Sequence, residues 1–177
     1  KSKRSKKSNS WKIKQHRDPF FKRSKTLGYR SRASFKLIEL NEKFKFLKTN
    51  SNLLDLGAYP GSWSQVASKI ITKGKILSID IKNMSPIKNV NFYKSDIFEK
   101  TTKNKIRDFF NGKLEVIISD MAADTTGNKS LDSIRTNQLC LEILLLSPKV
   151  LVSNGVFVSK VFMGDDFEEI KKLAKTL

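Results

Sequence analysis

One cysteine and one histidine in 177 residues are the first constraints. A lone Cys140 excludes an intramolecular disulfide, and its place in an apolar helical pattern reads as a small core residue in a reducing compartment. His16 and Cys140 cannot furnish a ligand set, so no metal site is expected. An enzyme built on this chain would therefore do its proton chemistry with Lys, Asp, Glu or Tyr. Long apolar runs are missing too. A bilayer crossing needs roughly 20 such residues, and the longest run, Leu139 to Leu146, is short and broken by Glu142. No membrane span is expected.

Acids are scarce at one end only. Residues 1–36 hold 14 Lys and Arg against a single acid, Asp18, a local balance of +13 within a net charge of +18. The remaining residues are nearly balanced. A basic arm over 1–24, attached to a domain over 25–177, suggests a face that meets a polyanion such as nucleic acid. Lys1 to Lys14 (KSKRSKKSNSWKIK) read equally well as a solvated tail or an RNA grip. Arg30 and Arg32, interleaved with Tyr29 and Phe35, are predicted to contact RNA. An intracellular protein is expected, cytoplasmic or, if the basic leader is a targeting remnant, mitochondrial or in another organelle. A monomer is expected.

What is present is a strand-helix alternation. The periodicity predicts a helix over Ser31 to Leu47, with Ser31 as its cap, then a buried strand Leu53 to Leu56 and a helix Ser62 to Ile71. Further strands are predicted at Ile76 to Asp80, Asn91 to Lys94, Leu114 to Asp120 and Val156 to Phe162. Helices are predicted at Thr102 to Phe110, Ser133 to Leu146 and Asp166 to Leu177. Such alternation builds a mostly parallel sheet with helices on both faces.

The stretch NLLDLGAYPGSWSQ, Asn52 to Gln65, places two glycines after the first strand, where an open α/β sheet binds ligands. Three acids, Asp80, Asp96 and Asp120, end apolar segments and could line the same edge. Asp80 stands about where an acid reads ribose hydroxyls in a dinucleotide fold, and the three together suggest a nucleoside pocket.

DLGAYPGSWSQ, with RSRASFKL upstream, SDMAA at 119–123 and VSKVFMG at 158–164, closely resembles the FtsJ/RrmJ family of ribosomal RNA ribose 2′-O-methyltransferases. The match runs from about Lys25 onward, in the same order and at similar spacings. The resemblance implies a Rossmann-like class I fold that binds S-adenosylmethionine and methylates a ribose hydroxyl, that of a uridine in large-subunit rRNA. Related branches methylate tRNA or mRNA caps, and an idle RNA-binding module on the same fold is a further reading.

Carried over by position, the cofactor residues are Gly61, Trp63, Asp80, Asp96 and Asp120, with Gly57 and Ala58 in the same loop. Asp80 would accept the ribose hydroxyls and Asp96 the adenine amino group. Of the family's Lys-Asp-Lys-Glu catalytic set, Lys36, Asp120 and Lys160 are present, Lys160 being expected within an apolar strand. Tyr59 and Ser62 replace small residues and are expected to narrow the pocket, while Ala123 and Asp124 stand where Pro and Asn are usual. The catalytic Glu and the last strands of a seven-stranded sheet are expected beyond Leu177. Glu168 and Glu169 are not substitutes for that Glu.

Overall fold

The computed structural model describes residues 18–176. The arm Lys1 to Lys14 and His16 lie outside the described residues. Helix α1 (Pro19–Thr26), which the periodicity did not predict, opens the described part, so the last residues assigned to the arm are helical. Asp18 caps it, accepting the Phe20 amide at 2.9 Å, and Pro19 occupies the first turn, where its missing N–H costs nothing. Helix α2 (Ala33–Phe44) follows. It begins two residues later than predicted, with the Ser31 hydroxyl accepting the Ala33 amide at 3.2 Å. It ends where Lys45 turns left-handed (φ 52°) and Asn41 accepts the Leu47 amide through its side chain.

Strand β1 (Leu53–Leu56) leads through helix α3 (Ser62–Ile70) to β2 (Ile76–Asp80) and β3 (Asn91–Lys94). Helix α4 (Lys100–Phe110), β4 (Leu114–Ser119), helix α5 (Lys129–Leu146), β5 (Leu151–Ser159) and helix α6 (Phe167–Ala174) complete the order. The five strands are all parallel, in the order β3-β2-β1-β4-β5. This is the parallel α/β sheet that the alternation predicted, in the Rossmann-like form that the resemblance implies, and the strand order reverses beside β1.

Both faces are covered. Leu53, Ile76, Val116 and Ile118 pack with Leu37, Trp63, Val66 and Ala67 of α2 and α3, while Leu54, Leu56, Ile79 and Ile117 pack with Ile106 and Phe110 of α4 and Ile143 of α5. Alternate β1 residues thus feed two cores, which is why the strand has no polar face. Cys140 is a buried free thiol in a third cluster with Leu144 and Ile170, and burial pushes its pKa up.

Strand β5 differs from its prediction. It starts at Leu151 and ends at Ser159, and a bulge lies inside it, with Asn154 at φ 64°. The register shows this directly, since Leu114 pairs with Leu151 while Val116 pairs with Val156. Lys160 therefore follows the strand instead of lying within it. No helix among the described residues is long and apolar enough to cross a membrane.

Candidate functional site

The loop after β1 is held open by backbone geometry that glycine permits. Gly57 adopts φ 71°, and its amide and that of Ala58 both reach the Ile79 carbonyl, at 2.9 and 3.2 Å, bending the loop over β2. A Cβ on Gly57 would fall 2.1 Å from Met121 Cγ, so this glycine also lets the loop after β4 close in. Asp80, at the end of β2, accepts the Tyr59 amide through Oδ2 at 2.8 Å and the Lys82 amide through Oδ1 at 2.7 Å. One carboxylate thereby ties two loops together. Each of its oxygens keeps a further acceptor position.

Gly57, Asp80, Asp96 and Asp120 line one cavity of about 570 Å³ at the carboxyl ends of β1, β2, β3 and β4. Ile79, Ile97, Phe98, Met121 and Leu139 give it apolar walls. Five of the lining side chains are acidic, Asp80, Asp96, Asp120, Asp124 and Glu142, against Lys82 and Arg135. In a chain of net charge +18, this hollow is acidic. Its chemistry suits a cationic nucleoside, and opposes a phosphate-bearing one.

Below the floor lies a carboxyl that sequence reasoning did not single out. Asp55, in the middle of β1, is 1% exposed, and its pKa is pushed up to about 7 by burial, with the charges of Asp120 and Asp80 acting in the same direction. The Ser64 hydroxyl donates to its Oδ2 at 2.5 Å and is itself bonded to Ser78 at 2.8 Å, which opposes the shift in part.

Beside the cavity, Lys160, which is not one of its lining residues, donates through Nζ to Asp120 Oδ1 at 2.8 Å and to the Asp120 carbonyl at 2.9 Å. Both side chains are about one-third exposed. The Lys160 amide is bonded to the Ser119 carbonyl at 3.0 Å, so sheet pairing between β4 and β5 sets this meeting.

Four predicted positions lie elsewhere. Lys36 does not join the Lys160–Asp120 pair, its ammonium meeting Glu39 at 3.3 Å on an exposed stretch of α2. Trp63 does not line the cavity. It is 5% exposed in the core, with its indole N–H donated to the Ala33 carbonyl at 2.9 Å. Ala58 is buried within the loop and does not line the cavity. Gly61 (φ 101°) makes room for protein: a Cβ there would lie 2.7 Å from the Arg30 guanidinium and from Met84 Sδ.

Arg30 corrects the RNA assignment made from sequence. Its guanidinium donates to the carbonyls of Pro60, Ser85 and Pro86, each at 2.8 Å, and so is spent on the protein's own backbone. Gln65 secures the same segment, accepting the Arg30 amide at 3.1 Å and donating to the Gly28 carbonyl at 2.8 Å. Arg32 is paired with Asp18. Ser62 is also corrected as a pocket-narrowing residue, because it is 3% exposed and bonded to the Ser31 hydroxyl at 2.6 Å. Tyr59 does line the cavity.

The remaining wall, Arg135, Gln138, Leu139 and Glu142 of α5, was missed from sequence. Their i, i+3, i+4, i+7 spacing was legible as one helical face, but nothing local says which face meets a cavity.

Comparison with known proteins agrees with this arrangement. The family model of FtsJ-like methyltransferases matches residues 29–177. The chain is 44% identical over 170 residues to the ribosomal RNA large subunit methyltransferase E of Pelagibacter ubique, covering 96% of this chain and 84% of that protein. It is 42% identical to the Acinetobacter baumannii protein of the same name, covering 95% and 79%. Among solved structures, a putative ribosomal RNA methyltransferase from Plasmodium falciparum superposes with a TM-score of 0.77 at 35% identity, over 84% of this chain and 87% of that one. An acidic nucleoside-sized hollow at the switch point of a parallel sheet, a Lys–Asp pair beside it and a family match over most of the length lead to one assignment: the chain belongs to the FtsJ-like methyltransferases.

Proposed function

We propose that this chain transfers a methyl group from S-adenosylmethionine to a ribose 2′-hydroxyl of RNA, specifically of a uridine in large-subunit rRNA. The observation that carries the reading is the Lys160–Asp120 pair at an acidic cavity. The relatives bear the name of a large-subunit rRNA methyltransferase, which supports the substrate class. We assign the chain from α1 onward to the methyltransferase domain, acting as an intracellular monomer on RNA, with the basic arm preceding it.

The residues present fit the cofactor. Asp80 keeps free acceptor positions for ribose hydroxyls, and exposed Asp96 lies on the same wall for an amino group. Gly57 and Ala58 hold the loop that roofs them, while Gly61 and Trp63 support it from behind. The acidic surround favours a sulfonium. Bound there, S-adenosylmethionine would supply an activated methyl group open to in-line attack by an oxygen.

Lys160 spends two bonds on Asp120, leaving one position on Nζ for the attacking ribose oxygen. As an N–H, that position stabilises the developing alkoxide, and as a lone pair it takes the hydroxyl proton. Asp120 fixes the amine in place and shares the cavity wall. Lys36, the remaining member of the catalytic set, would have to leave its exposed pairing with Glu39, which is worth little at the surface, to reach the reacting groups. The deciding experiment incubates the protein with labelled cofactor and undermethylated large ribosomal subunits, then maps the modified nucleotide. Label on a base, or on protein alone, overturns the reading.

A further inference from the structure

Helix α5 carries two consecutive polar residues in its interior, Thr136 and Asn137, each 1% exposed. Neither is a good helix former, and burying either without partners is costly. Both have partners outside the helix. The Thr136 hydroxyl accepts the Ala123 amide at 3.2 Å, gripping the loop that follows β4. Asn137 grips the segment that follows β5 from both sides, its Nδ2 donating to the Phe162 carbonyl at 3.1 Å and its Oδ1 accepting the Phe162 amide at 2.9 Å.

These two loops hold the reacting pair. Asp120 lies three residues before Ala123, and Lys160 two residues before Phe162. Gly164 continues the contact: a Cβ there would fall 2.6 Å from Ser133 Oγ, one turn before Asn137 on the same helix. The segment from Phe162 to Gly164 thus lies flat on α5, close enough that Ser133 Oγ is a buried hydroxyl with no partner among the described residues.

We propose that Thr136 and Asn137 are positioning residues for methyl transfer: one helix face holds both loops at a fixed separation and so sets the Lys160–Asp120 geometry. The inference rests on the reading of Lys160 and Asp120 as the reacting pair. It accounts for why a buried amide and hydroxyl stand where aliphatic residues would pack, at positions flanked by the apolar Cys140, Ile143 and Leu144.

The test compares Asn137→Leu, Thr136→Val and Thr136→Ser with the wild-type chain in two measurements. The first is acetylation of Lys160 by limiting reagent, followed by mass spectrometry and normalised to exposed Lys36. Labelling rises severalfold in Asn137→Leu and Thr136→Val, because Lys160 and Asp120 part, and stays at the wild-type value in Thr136→Ser, which keeps the acceptor. The second is steady-state methyl transfer. There kcat falls roughly 10- to 100-fold in the first two variants while the KM values for cofactor and RNA stay within about twofold, and Thr136→Ser retains activity.

Unchanged Lys160 labelling in folded Thr136→Val overturns the proposal, as does loss of cofactor binding together with kcat, which marks a packing role only. If Asn137→Leu does not fold, the Thr136 pair decides. Absence of methyl transfer by the wild-type chain counts against the RNA reading alone, since the labelling still judges the positioning.

Discussion

Lys160 is bonded to one residue twice, its ammonium lying 2.8 Å from Asp120 Oδ1 and 2.9 Å from the Asp120 carbonyl. The side chain is thereby held by an element it is not part of, 40 residues earlier in the chain. Removing the amine should leave the cavity wall standing. In Lys160→Ala, turnover is expected to vanish while cofactor affinity stays nearly unchanged, because the lost interaction belongs to the transition state. Titration calorimetry beside a methyl-transfer assay checks this. Joint loss of binding and turnover would assign Lys160 to the fold instead.

Asp80 is placed to recognise ribose and also ties the Tyr59 and Lys82 amides. S-adenosylmethionine should raise the melting temperature of the wild-type chain by mass action, and Asp80→Ala should remove most of that rise. NADH should produce none, since its pyrophosphate would enter a hollow whose lining holds five acids against two bases. Equal stabilisation of both proteins by S-adenosylmethionine would remove Asp80 from the site.

Asp55 makes stability depend on pH. Its folded-state pKa of about 7 lies above the ordinary 3.8, so the folded protein holds a proton that the unfolded chain releases. Stability from this group is then full below about pH 4 and lost as pH rises towards 7. The gap corresponds to at most roughly 4 kcal/mol. Asp55→Asn cannot ionise, so denaturant unfolding at pH 5 and pH 8 should show the variant gaining on wild type at the higher pH. A pH-independent difference would contradict this.

Arg30 and the arm separate two kinds of cation. Arg30→Met removes three hydrogen bonds from a charged donor and should destabilise the chain by about 2–4 kcal/mol, loosening the glycine loop and weakening cofactor binding. The salt dependence of RNA affinity should not change, since Arg30 is spent on carbonyls. Deleting Lys1 to Lys14 should do the reverse. With about half of its seven cations on phosphates, the slope of log affinity against log salt should fall by about two, with cofactor binding intact. Coincident slopes with and without the arm would make it a solvated tail.

Local pattern alone determined the strand-helix alternation from α2 onward and the sites of β1 to β4, while β5 was legible only over its second half. Strands buried on both faces read as apolar runs, and glycine, proline and asparagine punctuate them. Asp80, Asp96 and Asp120 were legible for the same reason, since an acid closing an apolar run must sit at a strand end. Tertiary structure decided which of these groups meet. Arg30 looked like an RNA contact because sequence shows its charge but not the three carbonyls, 30 to 56 residues away, that absorb it. Trp63 and Lys36 share motifs with the site, yet the packing of α2 on α3 turns one into the core and leaves the other in solvent. Asp55 is an ordinary acid in LLDL until both faces of β1 are covered. The wall and the clamp on α5 have a helical period that any amphipathic helix shows, and only contacts across the fold say which face is which. Burial and long-range pairing are properties of the assembled sheet, and no local stretch of chain carries them.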